Sequence, residues 1–415
     1  MHLIWAKIVT TFSARAYGTT IELITLLITA RILGPDGRGT VASILAWTAL
    51  FSAVFGLSLS QVIVYRFTNN VSDSQFNRTF SALIPLSFIL CLAGWLCALV
   101  IYTQTESGGL KQLPAGIVIL GFTLLPFIMW ESYCSHLLST TGRLNQYNTG
   151  LVIGKTLGFT TMLIVIFLAG LGIYGPIIGN LAALVITILI AVLTMRESLS
   201  KPLHVYASEM ISLVSGGLKL HINTIGSFLL MTIDIVILSQ YRSMEEVGWY
   251  QAATQLIAVP LMLPGVVTMV LYSKVADEGP VKVWATHRRL IQQIMGAMGV
   301  VAVVCYFIAP DLVSLLLGSE FTETIPVFRI LLLAMIGMCF SQLMVAQWIG
   351  RGLFLQAGFI TIAAGLTNVI LNFYFIPTYG MYAAAWTTVG AFIISIITNG
   401  IFAIMIEREW KCTYS

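Results

Sequence analysis

Runs of about 20 apolar residues follow one another almost from end to end of this chain, broken only by short polar segments, and that pattern removes most folds from consideration. A helix needs about 20 such residues to cross ~30 Å of hydrocarbon. A transmembrane barrel strand needs only about ten, alternating in character, and the runs here are too long and too uniformly apolar for that. Composition agrees: 58% of the 415 residues are hydrophobic and 9% charged, against roughly 25% charged in soluble domains. The bilayer is the solvent, and the expected fold is an all-α polytopic membrane protein. The first run carries Arg15 and Glu22 and continues to Leu33 without a cleavage-like end, so it is read as a span and not as a signal peptide.

Twelve spans are expected, at 8–33, 41–66, 81–102, 114–138, 151–171, 174–195, 213–239, 247–273, 290–317, 325–349, 353–376 and 380–406. Turn chemistry supports the breaks, as in Gly34-Pro35-Asp36-Gly37 and Pro377-Thr378-Tyr379-Gly380. With the N-terminus inside, 13 of the 21 Lys and Arg fall at cytoplasmic ends and loops, and only Arg31, Arg38, Lys111 and Arg242 fall outside. That bias predicts cytoplasmic termini. The net charge of +4 is dispersed through loops, which gives no support to a nucleic-acid partner.

Two passages recur at nearly constant offset. Asp36-Gly37-Arg38-Gly39 opens span two and Glu245-Glu246-Val247-Gly248 opens span eight, 209 residues later; Tyr174-Gly175 precedes span six and Tyr379-Gly380 precedes span twelve, 205 later. These point to two parallel six-helix repeats. The expected organisation is an N-terminal bundle at 1–195, a cytoplasmic linker at 196–212 and a C-terminal bundle at 213–415. Parallel repeats place a substrate path between bundles that rock against each other.

The run Ala30-Arg31-Ile32-Leu33-Gly34-Pro35-Asp36-Gly37-Arg38-Gly39, Asp234 followed by Val247-Gly248-Trp249-Tyr250, and Ile376-Pro377-Thr378-Tyr379-Gly380 with its alanine run together resemble the Wzx-type polysaccharide flippases of the MOP superfamily. The resemblance covers nearly the whole chain, through motifs shared among O-antigen, capsule and exopolysaccharide exporters. It implies a MOP/MATE-like fold in the bacterial inner membrane. It also implies movement of an undecaprenyl-pyrophosphate-linked oligosaccharide, an O-antigen, capsule or exopolysaccharide repeat unit, from the cytoplasmic to the periplasmic leaflet by alternating access. No cofactor is expected beyond a proton or sodium gradient. Expected partners are the lipid-linked oligosaccharide, membrane lipids, a polysaccharide polymerase and a chain-length regulator. The same fold serves MATE-like cation-coupled drug exporters, so the intramembrane charges have to arbitrate.

An ionisable side chain in the membrane costs about 3 kcal/mol or more, and so faces a water-filled cavity or a partner. Arg15 and Glu22, seven residues apart, lie on nearly one face of span one. Arg15 either lines the cavity as an anion donor or forms a structural salt bridge to another helix. Lys155 and Lys219 sit about one turn inside spans five and seven, where they either meet substrate or snorkel to the headgroups. Arg329, near the outer end of span ten, is a further substrate-binding candidate or an interfacial anchor. Pyrophosphate calls for cations at the cytoplasmic level, and an arginine offers a two-pronged fork. The candidates for ion coupling are Glu22, Glu131 and Asp234, each either a coupling acid or a partner-satisfied structural carboxylate. His136 and His221 are read as structural in preference to proton relays.

No enzyme motif is present: Glu131 and His136 lack metalloprotease spacing and no glycine-rich phosphate loop precedes a helix. A membrane glycosyltransferase or O-antigen polymerase is the enzyme-class alternative, disfavoured by short outer loops. The six cysteines show no CxxC spacing; five lie within apolar runs and are expected as buried thiols that pack as small hydrophobes, and Cys412 is in the tail.

Overall fold

In a computed structural model the described residues are 2–67, 72–196, 199 and 204–414. Of the expected linker, residues 197, 198 and 200–203 lie outside them. The helices are α1 (His2–Phe55), α2 (Leu59–Arg66), α3 (Asp73–Gln104), α4 (Ala115–Thr140), α5 (Leu144–Phe167), α6 (Tyr174–Met195), α7 (Ala207–Met231), α8 (Ile233–Tyr241), α9 (Met244–Ala258), α10 (Met262–Glu278), α11 (Pro280–Leu317), α12 (Thr324–Gly350) and α13 (Phe354–Tyr414). Eight helices are each long and apolar enough to cross a bilayer, and two bent pairs, α7 with α8 and α9 with α10, pass the same test jointly. Two of the eight, α1 with 54 residues and α13 with 61, are each long enough for two crossings and are interrupted by a non-helical glycine, Gly34 and Gly380. Counted as two spans each, with every bent pair as one, they bring the total among the described residues to twelve.

Those two interruptions need glycine. Gly34 has φ 64° and ψ −176°, and Gly380 has φ 60° and ψ −138°, backbone positions that a Cβ makes costly. At the second interruption the Glu246 carboxylate accepts the Met381 N–H at 3.1 Å and the Arg242 Nε–H at 2.9 Å. The Glu246 motif and the Gly380 motif, 134 residues apart in sequence, are thus in direct contact.

The chain divides into two compact units, residues 1–33 with 40–225 and residues 34–39 with 226–415. The division falls inside α7, after the linker expected at 196–212. In the first unit α5 packs on α6 through small residues: Gly154 lies against Ala183 and Thr187, and Gly158 against Gly179 and Ala183. Such stripes let helix backbones approach closely in lipid. In the second unit α12 packs against α9, α10, α11 and α13. Its apolar face, with Leu331, Met335, Cys339 and Leu343, is buried. The outer faces stay apolar: of the most hydrophobic stretch of α11 only 17% is buried, and Val300, Val303, Phe307 and Leu315 are exposed. In water this surface would associate; facing acyl chains it is at rest. This is a multi-pass membrane protein.

The 209-residue offset has a structural counterpart within the second unit. A Cβ on Gly39 would fall on the Met244 carbonyl oxygen, and a Cβ on Gly248 would fall on the Pro35 carbonyl oxygen. Gly39 and Gly248 differ by 209, and so do Pro35 and Met244. Equivalent turns therefore meet reciprocally, as two copies do about a two-fold axis.

Three expected spans prove to be broken. Span two stops at Phe55 and resumes at Leu59, with Leu57 and Ser58 at φ 46° and 50°. Gly217 of α7 lies against the Leu57 carbonyl, a tertiary contact with no mark in the local sequence. Span seven bends by 52° at Thr232 and span eight by 46° between Ala258 and Met262, where Pro260 has no N–H to give.

Candidate functional site

Two groups of polar side chains stand out, one in each unit. The second unit holds the tighter one. Thr232, at φ −135° and ψ −20°, interrupts span seven so that α8 starts at Ile233. Asp234 then occupies the first turn of α8, where the free N–H groups of a helix start favour negative charge. It is only 4% exposed. Four neutral groups donate to its carboxylate: Tyr250 Oη at 2.7 Å and Thr388 Oγ1 at 2.8 Å to Oδ2, and Asn368 Nδ2 at 2.6 Å and Asn372 Nδ2 at 2.5 Å to Oδ1. Asn368 and Asn372 are four apart on the first limb of α13, and Thr388 is on its second limb. The Gly380 reversal is what brings the limbs to one carboxylate.

No cation among the described residues pairs with Asp234, and its charge is held by dipoles alone. Thr387 donates to Asn372 Oδ1, extending the network by one side chain. Among the described residues Asn368 Oδ1 is buried without a hydrogen-bond partner, an exception of the kind that calls for an explanation in a native core. The cluster therefore offers one carboxylate, amide and hydroxyl oxygens, and an unused oxygen, all hard ligands.

The first unit presents an open arrangement. One face of α1 is joined to α5 by Asn148 Nδ2 to Thr11 Oγ1 at 3.0 Å and by the Tyr17 and Thr156 hydroxyls at 2.7 Å. On this seam the Lys155 ammonium meets the Glu22 carboxylate at 2.8 Å, with Glu22 more than half exposed. Two of the expected residues, assigned to different roles, are thus partners of each other. Glu131 of α4 accepts from the Tyr147 hydroxyl of α5, and Arg15 lies close enough to act electrostatically on Tyr147. Arg15 is exposed, and among the described residues its guanidinium makes no hydrogen bond or ion pair. Lys219 of α7 is likewise exposed with no such partner among them.

The remaining candidates are engaged locally. Arg329 belongs to the second unit, donates through Nε to the Tyr306 carbonyl at 3.1 Å and lies 4.8 Å above the Tyr306 ring. His136 bonds to the Ser132 carbonyl of its own helix at 2.7 Å. His221 meets Ser58 Oγ at 3.2 Å, beside the break in span two. Sequence reasoning missed Asn368, Asn372, Tyr250 and Thr388 as members of the Asp234 cluster. The available signal was the pair of asparagines four apart in an otherwise apolar span.

A sequence profile described as polysaccharide biosynthesis protein matches residues 4–272. The chain belongs to this family. No curated protein matches it in sequence. Among solved structures the fold is similar to the lipid II flippase MurJ in an inward closed conformation, with TM-score 0.77, 16% identity and coverage of 98% of this chain and 88% of the other. It is also similar to an inward-facing MATE family multidrug resistance transporter of the MOP superfamily, at TM-score 0.70, 17% identity and coverage of 98% and 96%. A third, at TM-score 0.68, 17% identity and the same coverage, is a MOP superfamily transporter from Pyrococcus furiosus whose description links reverse polarity of the binding pocket to a different function. At these identities the likeness establishes the MOP fold. These neighbours are transporters and a flippase, and none is described as an enzyme.

Proposed function

We propose that this member of the polysaccharide biosynthesis family is a flippase that carries an undecaprenyl-pyrophosphate-linked oligosaccharide from the cytoplasmic to the periplasmic leaflet of a bacterial inner membrane, driven by a cation gradient. The observation that carries the reading is Arg15: an exposed guanidinium inside a transmembrane helix, with no acid neutralising it among the described residues. Drug cations need carboxylates, whereas pyrophosphate needs cations. In the first unit Glu22 is paired with Lys155 and Glu131 accepts from the neutral Tyr147 hydroxyl, so that Arg15, Lys155 and Lys219 outnumber Glu22 and Glu131 by one positive charge. Pocket polarity is also what sets the Pyrococcus furiosus transporter apart in its description. A guanidinium in a site of reduced dielectric favours an anionic headgroup by more than exposed pairs do, and its fork fits phosphate oxygens bidentately.

Asp234 supplies the coupling half of the reading. A single carboxylate with neutral oxygen neighbours balances one monovalent cation and no more. Sodium suits the cluster: Asp234, Thr388 and Tyr250 oxygens would hold it, Asn368 Oδ1 is a buried oxygen with no other use, and rotation of either amide brings further oxygen to the same point. The proton is the other candidate, and sodium dependence separates the two.

The test is complementation of a flippase-deficient strain, scored by surface polysaccharide with protein level measured in the same membranes. Arg15→Ala is expected to remove surface polysaccharide without removing the protein, and Arg15→Lys to restore part of it, because the charge remains and the fork is lost. Normal polysaccharide from Arg15→Ala, Lys219→Ala and the double variant would put drug export in first place.

A further inference from the structure

The limbs of α13 enclose more than the Asp234 cluster. Between them lies a pocket of about 460 Å³ whose walls include Phe375, Tyr379, Tyr382 and Trp386 and whose lining reaches Thr387. We infer that this pocket is the route by which the coupling cation reaches Asp234; the inference rests on the coupling role proposed above. Tyr379 stands in the reversal between the limbs, and Thr387 is eight residues further along the second limb, or ~12 Å at helical rise. The pocket thus leads from a helix-connecting turn into the depth of the span. It ends where the network begins: Thr387 donates to Asn372, and Asn372 donates to Asp234 at 2.5 Å.

The chemistry of the walls suits a small cation. Aromatic faces attract cations through their quadrupole without binding them as tightly as a carboxylate does. At the rim the exposed Glu323 accepts from the Tyr382 hydroxyl at 3.1 Å and brings a negative charge to the opening. The other acid near Tyr382, Glu246, is already held by Arg242.

Thr387 closes the inner end. Its hydroxyl lies within bonding distance of the Ala384 carbonyl, at 3.0 Å, as well as of Asn372. It can turn from Asn372 to Ala384 and still donate a hydrogen bond. That turn frees Asn372 Oδ1 for an arriving cation, and the reverse turn shuts the passage behind it. A second pocket, of about 390 Å³, lies between α3 and α4 in the first unit, with Trp95, Tyr102 and Phe122 in its walls. None of the residues lining it belongs to the Asp234 network, whereas Thr387 joins the α13 pocket to that network.

The experiment uses the full-length protein in nanodiscs and radioactive sodium as the probe. Cys97, Cys305 and Cys412 are replaced by serine, since two are exposed and one half-buried, and a single cysteine is placed at Trp386 or, independently, at Tyr382. Sodium association and dissociation are followed for each variant before and after attachment of a bulky maleimide. Plugging is expected to slow both rates by about tenfold or more while the equilibrium affinity stays within about twofold, because a blocked path alters the barrier and not the site. Unchanged rates at both positions overturn the route and leave Asp234 as the coupling site. Absence of sodium binding by the unmodified protein overturns the route for a metal cation and leaves the proton as the coupling ion; binding that survives Asp234→Asn overturns the coupling reading and the route with it.

Discussion

In the second unit one carboxylate, Asp234, is buried and ringed by four neutral donors, whereas in the first unit Arg15, Glu22, Glu131, Lys155 and Lys219 stand partly open along α1, α4, α5 and α7. The first arrangement resists change. Its donors are oriented in advance and the charge has nowhere to go, which suits a site that must recognise one small ion repeatedly. The second is adaptable: its charges sit on long side chains, Glu22 and Lys155 paired, Glu131 bonded to a neutral hydroxyl, and Arg15 and Lys219 unpaired among the described residues, which suits a large headgroup that arrives and leaves. Rigidity and openness in the two units therefore follow from burial, not from the number of charges.

If that contrast holds, the largest effects of substitution belong to Asp234. Asp234→Ala removes the shared acceptor of four buried donors; Thr388 keeps the Ala384 carbonyl at 2.8 Å and Asn368 the Leu229 carbonyl at 3.4 Å, but each donor left unsatisfied costs about 1–3 kcal/mol, and the variant is expected to be strongly destabilised. Asp234→Asn keeps most of the shape and removes the charge. It is expected to insert normally, to lose gradient-driven transport, and to lose the rise in thermal midpoint that sodium, compared with choline, gives the unaltered protein through preferential binding to the folded state. A sodium-dependent rise in Asp234→Asn equal to that of the parent would remove the carboxylate from the cation site.

Tyr250→Phe comes next. It deletes one of the four donors to a buried carboxylate, and a hydrogen bond to a charged group contributes about 1.5–3 kcal/mol. The remaining three donors stay in place, so the protein folds, with a lower denaturation midpoint and weaker sodium stabilisation. Denaturation with and without sodium measures both. A loss in stability with sodium affinity unchanged would make Tyr250 a purely structural member of the cluster.

How far these arrangements could be read from sequence depends on the range of the interactions that make them. The spans were legible because bilayer thickness sets their length and composition, and the repeat because Gly39 and Gly248 must both be glycine for their turns to meet. Asp234 was legible as a carboxylate within an apolar run. Its partners were not: Asn368, Asn372 and Thr388 lie 134 to 154 residues away, and neutral polar side chains are unremarkable within a span. The break at Leu57 and Ser58 was hidden because it depends on contact with Gly217 of another helix. The same limit applied to Glu22 and Lys155. Helical periodicity placed each on a face, but which helix faces which is a tertiary fact.

The Lys155 and Glu22 pair tests the open side of the comparison, and its expected effect is the smallest. The two groups approach to 2.8 Å, yet 27% of the lysine side chain and 56% of the glutamate side chain are accessible. An ion pair so open to its surroundings contributes about 0.2–1 kcal/mol after solvent screening and the cost of ordering two long side chains. A double-mutant cycle with Lys155→Met and Glu22→Gln, read by thermal unfolding in low and high salt, is expected to give a coupling energy in that range that shrinks as salt rises. The exchange variant, Lys155→Glu with Glu22→Lys, should recover the coupling energy, since the same two charges face each other with positions reversed. In the complementation assay, loss of polysaccharide from the exchange variant at normal stability would assign one of the two charges to the substrate. Recovery of both would make the pair a fastener between α1 and α5 and leave Arg15 and Lys219 to hold the pyrophosphate. A coupling energy of several kcal/mol, insensitive to salt, would mean that this seam is as closed to water as the Asp234 cluster, and the distinction between the two units would fail at this point.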